Sequence, residues 1–559
     1  MVIKNNMRPA YAVAGTSENR TSRAIDSPFI FNASNTDTDE FNEFNSYNTS
    51  GRQASYRRAP KQKRRSSRGN PSLIVAVIAI VAVLLLSLVL VVATSNSGGG
   101  IKYSDNAYIT YNDADGNYYI AVNGNLLDAS FEGTVTLHEA KDRSFAYIEE
   151  AYAGGYNIYI LDDKDMISVT MSPATDILAY AEYIPAIVYE DNGDVYLYTK
   201  EHGEELITED ATASNFKISG DGTTVAYNVI DVENGNKIHL SVFTAGESSE
   251  RATAACYPAA ISYDGSYIYC YGYTKVDGQK KLYVLDTTDD YSMTPVGTGV
   301  FGGITTMNAK GDEIIYYTTA NGENTSHIYS VRKDEVYTIA KGFFVPSVID
   351  SDIACPSSFR KTYIQSASSE SEGSTYYIDK KFSPVKIATH VGSFAPNGDY
   401  FYYINSESTL IQIDLNDDNY AFTRVLSNVV DYKITQKNNL YILDSDNVLR
   451  FHDVRDNKKT KISQAAVEIS MYDHSNILYF VESDSVAVYS SKEGSSKDSV
   501  KFDKAAISAL PRFKYLNTAK TYSFIYDEDI GWKLFYSSNG RKFKTLSAEC
   551  TNIDGGIYE

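Results

Sequence analysis

From Leu73 to Ala93 the chain runs through twenty-one residues without a charge, a glycine or a proline, broken only by the hydroxyl of Ser87. At about 1.5 Å of rise per residue such a segment reaches roughly 30 Å as a helix, which is the thickness of a bilayer's hydrocarbon core. A helix inside a soluble core rarely carries more than about 14 consecutive apolar residues. The run reads as a membrane span, and the rest of the chain lies on one side of it or the other.

Which side is decided by charge. Arg57, Arg58, Lys61, Lys63, Arg64, Arg65 and Arg68 crowd the segment just before the span without an acidic residue among them, while 94–100 carries no charge. Basic residues stay on the cytoplasmic side, so residues 1–70 read as a cytoplasmic tail and the C-terminal part as extracytoplasmic, a single-pass type II arrangement at the plasma membrane with the span as signal-anchor. A cleaved signal peptide would suit Val91-Val92-Ala93, but an apolar run this long, after so long a leading segment, exceeds the usual ~7–15-residue apolar region of such peptides.

The tail is rich in Asn, Ser, Thr and Arg and has no sustained period of 2 or 3.6, so it reads as disordered. It carries a net charge of +6, and the formal −20 of the whole chain leaves −26 for the remainder. An acidic ectodomain excludes nucleic acid as its natural partner, because phosphate binding needs clustered Lys and Arg. The basic block itself suits anionic lipid headgroups. Four cysteines (Cys256, Cys270, Cys355, Cys550) are too few to staple a scaffold of small secreted domains. Cys256 and Cys270 flank a turn at Asp264-Gly265, and diagonal spacing across a hairpin, ~7–8 Å, is slightly wide for an unstrained disulfide.

After the span (72–94) and a Ser/Gly linker (95–102) the composition changes: of 47 tyrosines only Tyr11, Tyr47 and Tyr56 precede the span. Short aromatic and β-branched runs, such as 267–271, 313–317, 400–404, 440–444 and 477–481, recur to the end, each bounded by Asp, Gly, Asn or Ser. These are strand and turn signals, and no amphipathic run long enough for a major helix competes with them. A self-similar unit is visible in the turns. Asp221-Gly222, Asp264-Gly265, Gly311-Asp312 and Asn397-Gly398 each lead into such a run, with 43 residues from Gly222 to Gly265, 46 to Gly311 and 87 to Gly398. Asp or Asn caps its own turn and Gly accepts the positive φ of a tight turn, which makes these structural repeat turns. A period of about 40–45 residues with several short strands is that of a β-propeller blade.

Ser172-Pro173-Ala174-Thr175-Asp176-Ile177-Leu178-Ala179-Tyr180, with those four turns, resembles the S-P-D-G-x-x-[IL]-A-[FY] repeat of TolB-like and WD40-like (PD40-type) propellers, also found in the propeller domains of dipeptidyl peptidases. The resemblance implies the fold over most of 103–550, without the Trp-Asp and Gly-His dipeptides of true WD40 blades. The expected architecture is all-β: a propeller ectodomain over 103–559 of about ten degenerate blade units, in two tandem rings with a boundary near 300–350 or in one large ring.

No G-x-S-x-G elbow, HExxH, CxxC or Cys/His cluster occurs, so no catalytic, cofactor-binding or metal-ligating residue is assigned and no cofactor is expected. Asp113-Ala114-Asp115-Gly116-Asn117 alternates carboxylates as a calcium loop begins, but its Gly falls at the fourth position and Gly124 stands where a bidentate Glu belongs; it reads as a hairpin turn. The function that fits is a monomeric, membrane-anchored extracytoplasmic propeller that binds or senses a cell-envelope component or a protein partner. The alternative is a propeller hydrolase or lyase working in a central channel, which needs acids and bases converging from inner strands.

Overall fold

The computed structural model describes residues 100–553 with short interruptions, the longest being 274–279, 367–373 and 503–510. The apolar run 73–93, the basic residues from Arg57 to Arg68, the tail and residues 95–99 lie outside the described residues, as does Gly398. Among the described residues no helix is long and apolar enough to cross a membrane.

Tyr-, Ile- and Val-rich segments alternate with positive-φ turns, and among the described residues the result is a series of sheets, eight of four strands, one of five and one of seven, with a separate two-stranded pair. All pairings are antiparallel except that of Lys501–Phe502 with Lys542–Phe543 at the edge of the five-stranded sheet. Successive hairpins form each sheet, so the chain meanders outward and then starts the next blade. The blades cover 108–126, 134–168, 176–208, 214–252, 257–300, 300–341, 344–389, 394–426, 429–463, 466–499 and 512–550, numbered here blades 1 to 11. Blades 5 and 6 share one strand, Ser292–Met307. Its first part pairs with Lys280–Asp286 as the last strand of blade 5, and from Val300 onward it pairs with Glu313–Ala320 as the first strand of blade 6. The region 300–350, where a boundary between two rings was expected, begins inside this continuous sheet, which ends at Lys341, and the next sheet starts at Phe344.

One apolar core lies between each pair of consecutive blades. Ile109 and Tyr111 of blade 1 share theirs with Leu534 and Phe524 of blade 11, so the succession returns to its start. The other ten cores run in chain order from blades 1 and 2 to blades 10 and 11. Blade 1 takes its remaining strand from the C-terminal end, where Asn552–Ile553 pairs with Tyr108–Asn112. A second non-sequential pairing, Ile101–Lys102 with Ile353–Cys355, braces the start of the described residues against the connection inside blade 7. Gly100 makes the brace possible: a Cβ there would stand 1.8 Å from the carbonyl oxygen of Cys355.

The abundance of tyrosine has a structural reason. In six blades a second-strand tyrosine sends its hydroxyl to a backbone carbonyl of the following blade: Tyr108 to Ser144, Tyr147 to Ala186, Tyr269 to Gly311, Tyr441 to Ser491, Tyr479 to Gly540, and Tyr522 to Ala107. The ring buries apolar area within the blade while the hydroxyl satisfies a carbonyl that the blade junction would otherwise strand. Tyr522 makes across the closure the bond that the others make along the chain.

The Asp176–Tyr180 part of the motif that starts at Ser172 sits one strand out of phase with the repeat it resembles, and Ser172 itself lies outside the described residues. At the other turns the Asp-Gly or Gly-Asp pair joins the first strand to the second, whereas Asp176–Tyr180 is itself the first strand of blade 3, and the joining turn follows at 181–185. Thr175 has no Gly after it to make the tight turn, so the segment stays extended.

Candidate functional site

The repeat turns show how inner strands end. In blade 5 the Asp264 carboxylate accepts from Ser262 Oγ and from the Ser266 N–H, both at 3.0 Å, and Ser262 Oγ accepts from the Tyr267 N–H at 2.9 Å. Blade 4 repeats this with Ser219, Asp221 and Thr223. In blade 6 an asparagine replaces the serine: Asn308 donates to Asp312 at 2.6 Å and accepts from the Glu313 N–H at 3.0 Å. Gly222, Gly265 and Gly311 have φ of +73°, +71° and +74°. Asn397 pairs with Tyr400 in blade 8, away from the other three turns. Asp113 closes the hairpin of blade 1, accepting from the N–H groups of Asp115 and Asn117 and from the Tyr119 hydroxyl. The Asn117 side-chain amide also donates to it at 3.0 Å, and these bonds, that one first, hold its carboxyl below the usual range.

These turns nest. The Asp221 N–H donates to the Tyr263 carbonyl at 2.8 Å, the Lys141 N–H to Glu182 at 3.0 Å, and the Ala309 N–H to Pro356 at 2.8 Å. Between the first strands of blades 3, 4, 5 and 6 they leave a cavity of about 340 Å³. Its wall is apolar where Leu178, Phe216, Ile261 and Met307 reach it, and its rim is aromatic and ionic. The Tyr183 and Tyr263 rings stand 5.8 Å apart at 49°. Lys141 forms an ion pair with Glu182 at 2.5 Å, its ammonium 5.9 Å from the Tyr183 ring centre. Lys217, on the first strand of blade 4, is exposed. The Tyr180 hydroxyl is buried without a hydrogen-bond partner.

Burial pushes the Tyr183 and Tyr263 phenols above their ordinary value, and a hydrogen bond to Cys355 adds to the effect at Tyr183. Both stay neutral at any physiological pH and offer rings and hydroxyls, not phenolates. The Cys355 thiol is raised by burial as well. Among the described residues no group of three or more His, Cys, Asp or Glu is placed to hold a metal ion. The arrangement can stack a planar or cyclic group on tyrosine, hold a negative group at Lys217, and desolvate an apolar one against the inner wall.

Of the residues singled out from the sequence, the turns of blades 4, 5 and 6 come together around this cavity, but as its frame. The rim residues Lys141, Glu182, Tyr183 and Lys217 carry no motif, and only the position of each at an inner-strand end sets it apart.

No family model and no curated protein matches the chain. Among solved structures it is similar to dipeptidyl peptidase 4 of Porphyromonas gingivalis, with 10% identity over 63% of this chain and 65% of that one and a TM-score of 0.36. It is similar also to an oligogalacturonate lyase of Vibrio parahaemolyticus (12% identity, 57% of this chain and 100% of that one, TM-score 0.32). TolB of Acinetobacter baumannii matches at 11% identity over 44% of this chain and 66% of that one, with a TM-score of 0.27. At scores this far below 0.5 none of them lends the chain an activity, and the propeller reading stands on its blades.

Proposed function

We propose that this chain is a single-pass membrane protein whose extracytoplasmic propeller, one closed ring of blades braced at Ile101–Lys102, binds a cell-envelope component or a protein partner in the cavity between blades 3 and 6. The observation that carries the reading is the cavity itself, where an exposed ammonium and two tyrosine rings stand at the mouth of an apolar wall. The first strands of blades 3, 4, 5 and 6 converge on it, and a surface framed by hydrogen-bonded turns presents contact groups at little ordering cost. The anchor at Leu73–Ala93 and the basic block before it support the membrane placement.

Two experiments test the two halves. Protease added to intact cells should remove a tag placed after Glu559 and spare one placed before Met1; the reverse pattern overturns the topology. For the site, a photo-crosslinking residue at position 217 should capture a discrete adduct in cells, and Tyr183→Ala in the same chain should abolish it. A crosslinker at Lys458, in the last strand of blade 9, serves as control. Equal adducts at 217 and 458, or an adduct at 217 indifferent to Tyr183→Ala, would remove the cavity as the binding site.

A further inference from the structure

Cys256 and Cys270 lie in the same core between blades 4 and 5, 2% and 0% exposed. They come from one hairpin. Pro258 pairs with Cys270, so Cys256 falls diagonally from Cys270 on the same face, one residue before the strand Tyr257–Ile261 begins. Diagonal partners inside a ladder stand too far apart for an unstrained bridge. Cys256 is outside the ladder, on the crossover from blade 4, and there its carbonyl accepts from Asn228 Nδ2 of blade 4 at 2.7 Å. That bond holds the crossover down on the junction, so ladder spacing does not fix the separation of the two side chains, which share one core.

The other two cysteines are elsewhere. Cys355 donates to the Met307 carbonyl at 3.5 Å, and Cys550 is in the core between blades 11 and 1. All four are thiols in the structure.

We propose that Cys256 and Cys270 are a disulfide-forming pair, oxidised while the ectodomain folds, and that the bond ties the crossover to the second strand of blade 5. The oxidant is a disulfide, R–S–S–R. One cysteine thiolate attacks it and releases RS⁻; the second thiolate then attacks the mixed disulfide and releases the other RS⁻. The two protons of the thiols end on two R–SH, and two electrons pass from the cysteines to the oxidant. Timing follows from burial. Inside the finished junction the Cys270 thiol is pushed well up by desolvation, so thiolate forms there with difficulty, and the pair must react before blades 4 and 5 close. The inference rests on the extracytoplasmic placement only for the natural supply of oxidant, and the test does not depend on it.

The full chain, purified in detergent under reducing conditions, is incubated with glutathione disulfide in urea near its unfolding midpoint, returned to buffer, alkylated and digested. The expected product is a linked peptide pair carrying Cys256 and Cys270, with Cys355 and Cys550 alkylated. C256S and C270S should each leave the remaining partner as a glutathione adduct, and C355S should leave the linked pair intact. Thiols at 256 and 270 still alkylated, glutathione adducts there without linkage, or linkage to Cys355 or Cys550 each overturn the proposal. As a second measurement, a reductant should lower the melting temperature of the oxidised chain and leave the C256S C270S double variant unchanged. A melting temperature indifferent to reductant in both also overturns it. Tag accessibility reports the placement separately, so failure of one reading is not failure of the other.

Discussion

A Cβ at Gly265 would lie 2.2 Å from Thr224 Oγ1 of the preceding blade, in a backbone conformation (φ +71°) that side chains with a Cβ resist. The left-handed conformation alone costs an L-residue about 1–2 kcal/mol, and forcing extra atoms into a packed junction adds about 1–3 kcal/mol. Gly265→Ala should therefore destabilise the chain by about 2–4 kcal/mol in a denaturant titration, and Thr224→Ala in the same chain should return part of that loss. Asp264→Ala should cost about 1 kcal/mol, since it removes hydrogen bonds from a turn that water reaches. An unchanged midpoint for Gly265→Ala would show that the turn does not bear on the junction. Asp444 gives a pH dependence. Burial raises its carboxyl, but hydrogen bonds from Arg450 and from the N–H groups of Val448 and Asp446 outweigh that and leave it below its ordinary 3.8. A depressed folded value means stability that is present above the unfolded value of about 3.8 and lost as pH falls through the folded one. Asp444→Asn should flatten the acid limb of a stability profile below about pH 4 and leave the slope near neutrality alone. An identical acid limb in the variant would refute this.

At the scale of the element, the tyrosine that crosses a junction in six of the blades links two blades through one hydroxyl. Tyr147 is the most connected: it donates toward the carbonyls of Ala181 and Ala186 and accepts from the Ala186 N–H at 3.1 Å. Tyr147→Phe keeps the ring's packing but leaves buried partners unsatisfied, at about 1–3 kcal/mol. Because blades mainly contact their neighbours, hydrogen exchange should quicken in blades 2 and 3 and stay unchanged in blade 9. A uniform change around the ring would contradict that locality. Strands and their turns were legible in the sequence because both are local: alternating aromatic and β-branched residues and an Asp-Gly pair act within a few residues. The phase of Asp176–Tyr180 was not, because a first and a second strand look alike until the position of the tight turn beside them is known.

The whole array depends on closure. Asn552–Ile553 completes blade 1, Ile553 is fully buried, and Tyr522 bonds across to Ala107. Ending the chain at Cys550 removes that strand, so amide exchange in Tyr108–Asn112 should rise first and blade 5 should keep its protection. Equal loss of protection in all blades would mean that the array folds as one cooperative unit; no loss in blade 1 would mean that closure does not rest on this strand.

By itself the sequence determined the all-β class, the blade-length period, the turn chemistry and the apolar segment with its charged flank. Each of these is written in neighbouring residues or in a repeat along the chain. Tertiary structure decided the rest. Ile101 meets Cys355, Ile553 meets Tyr111, and Tyr183 meets Tyr263 and Cys355, pairs separated by tens to hundreds of residues and marked by no periodicity. The same holds for the cavity rim, since Lys141, Glu182, Tyr183 and Lys217 become neighbours only when inner-strand ends of successive blades converge. Cys256 shows the physical reason at its smallest: ladder spacing read from sequence sets it diagonally from Cys270, and a hydrogen bond from Asn228 on another blade holds its backbone off the ladder, in the core the two cysteines share.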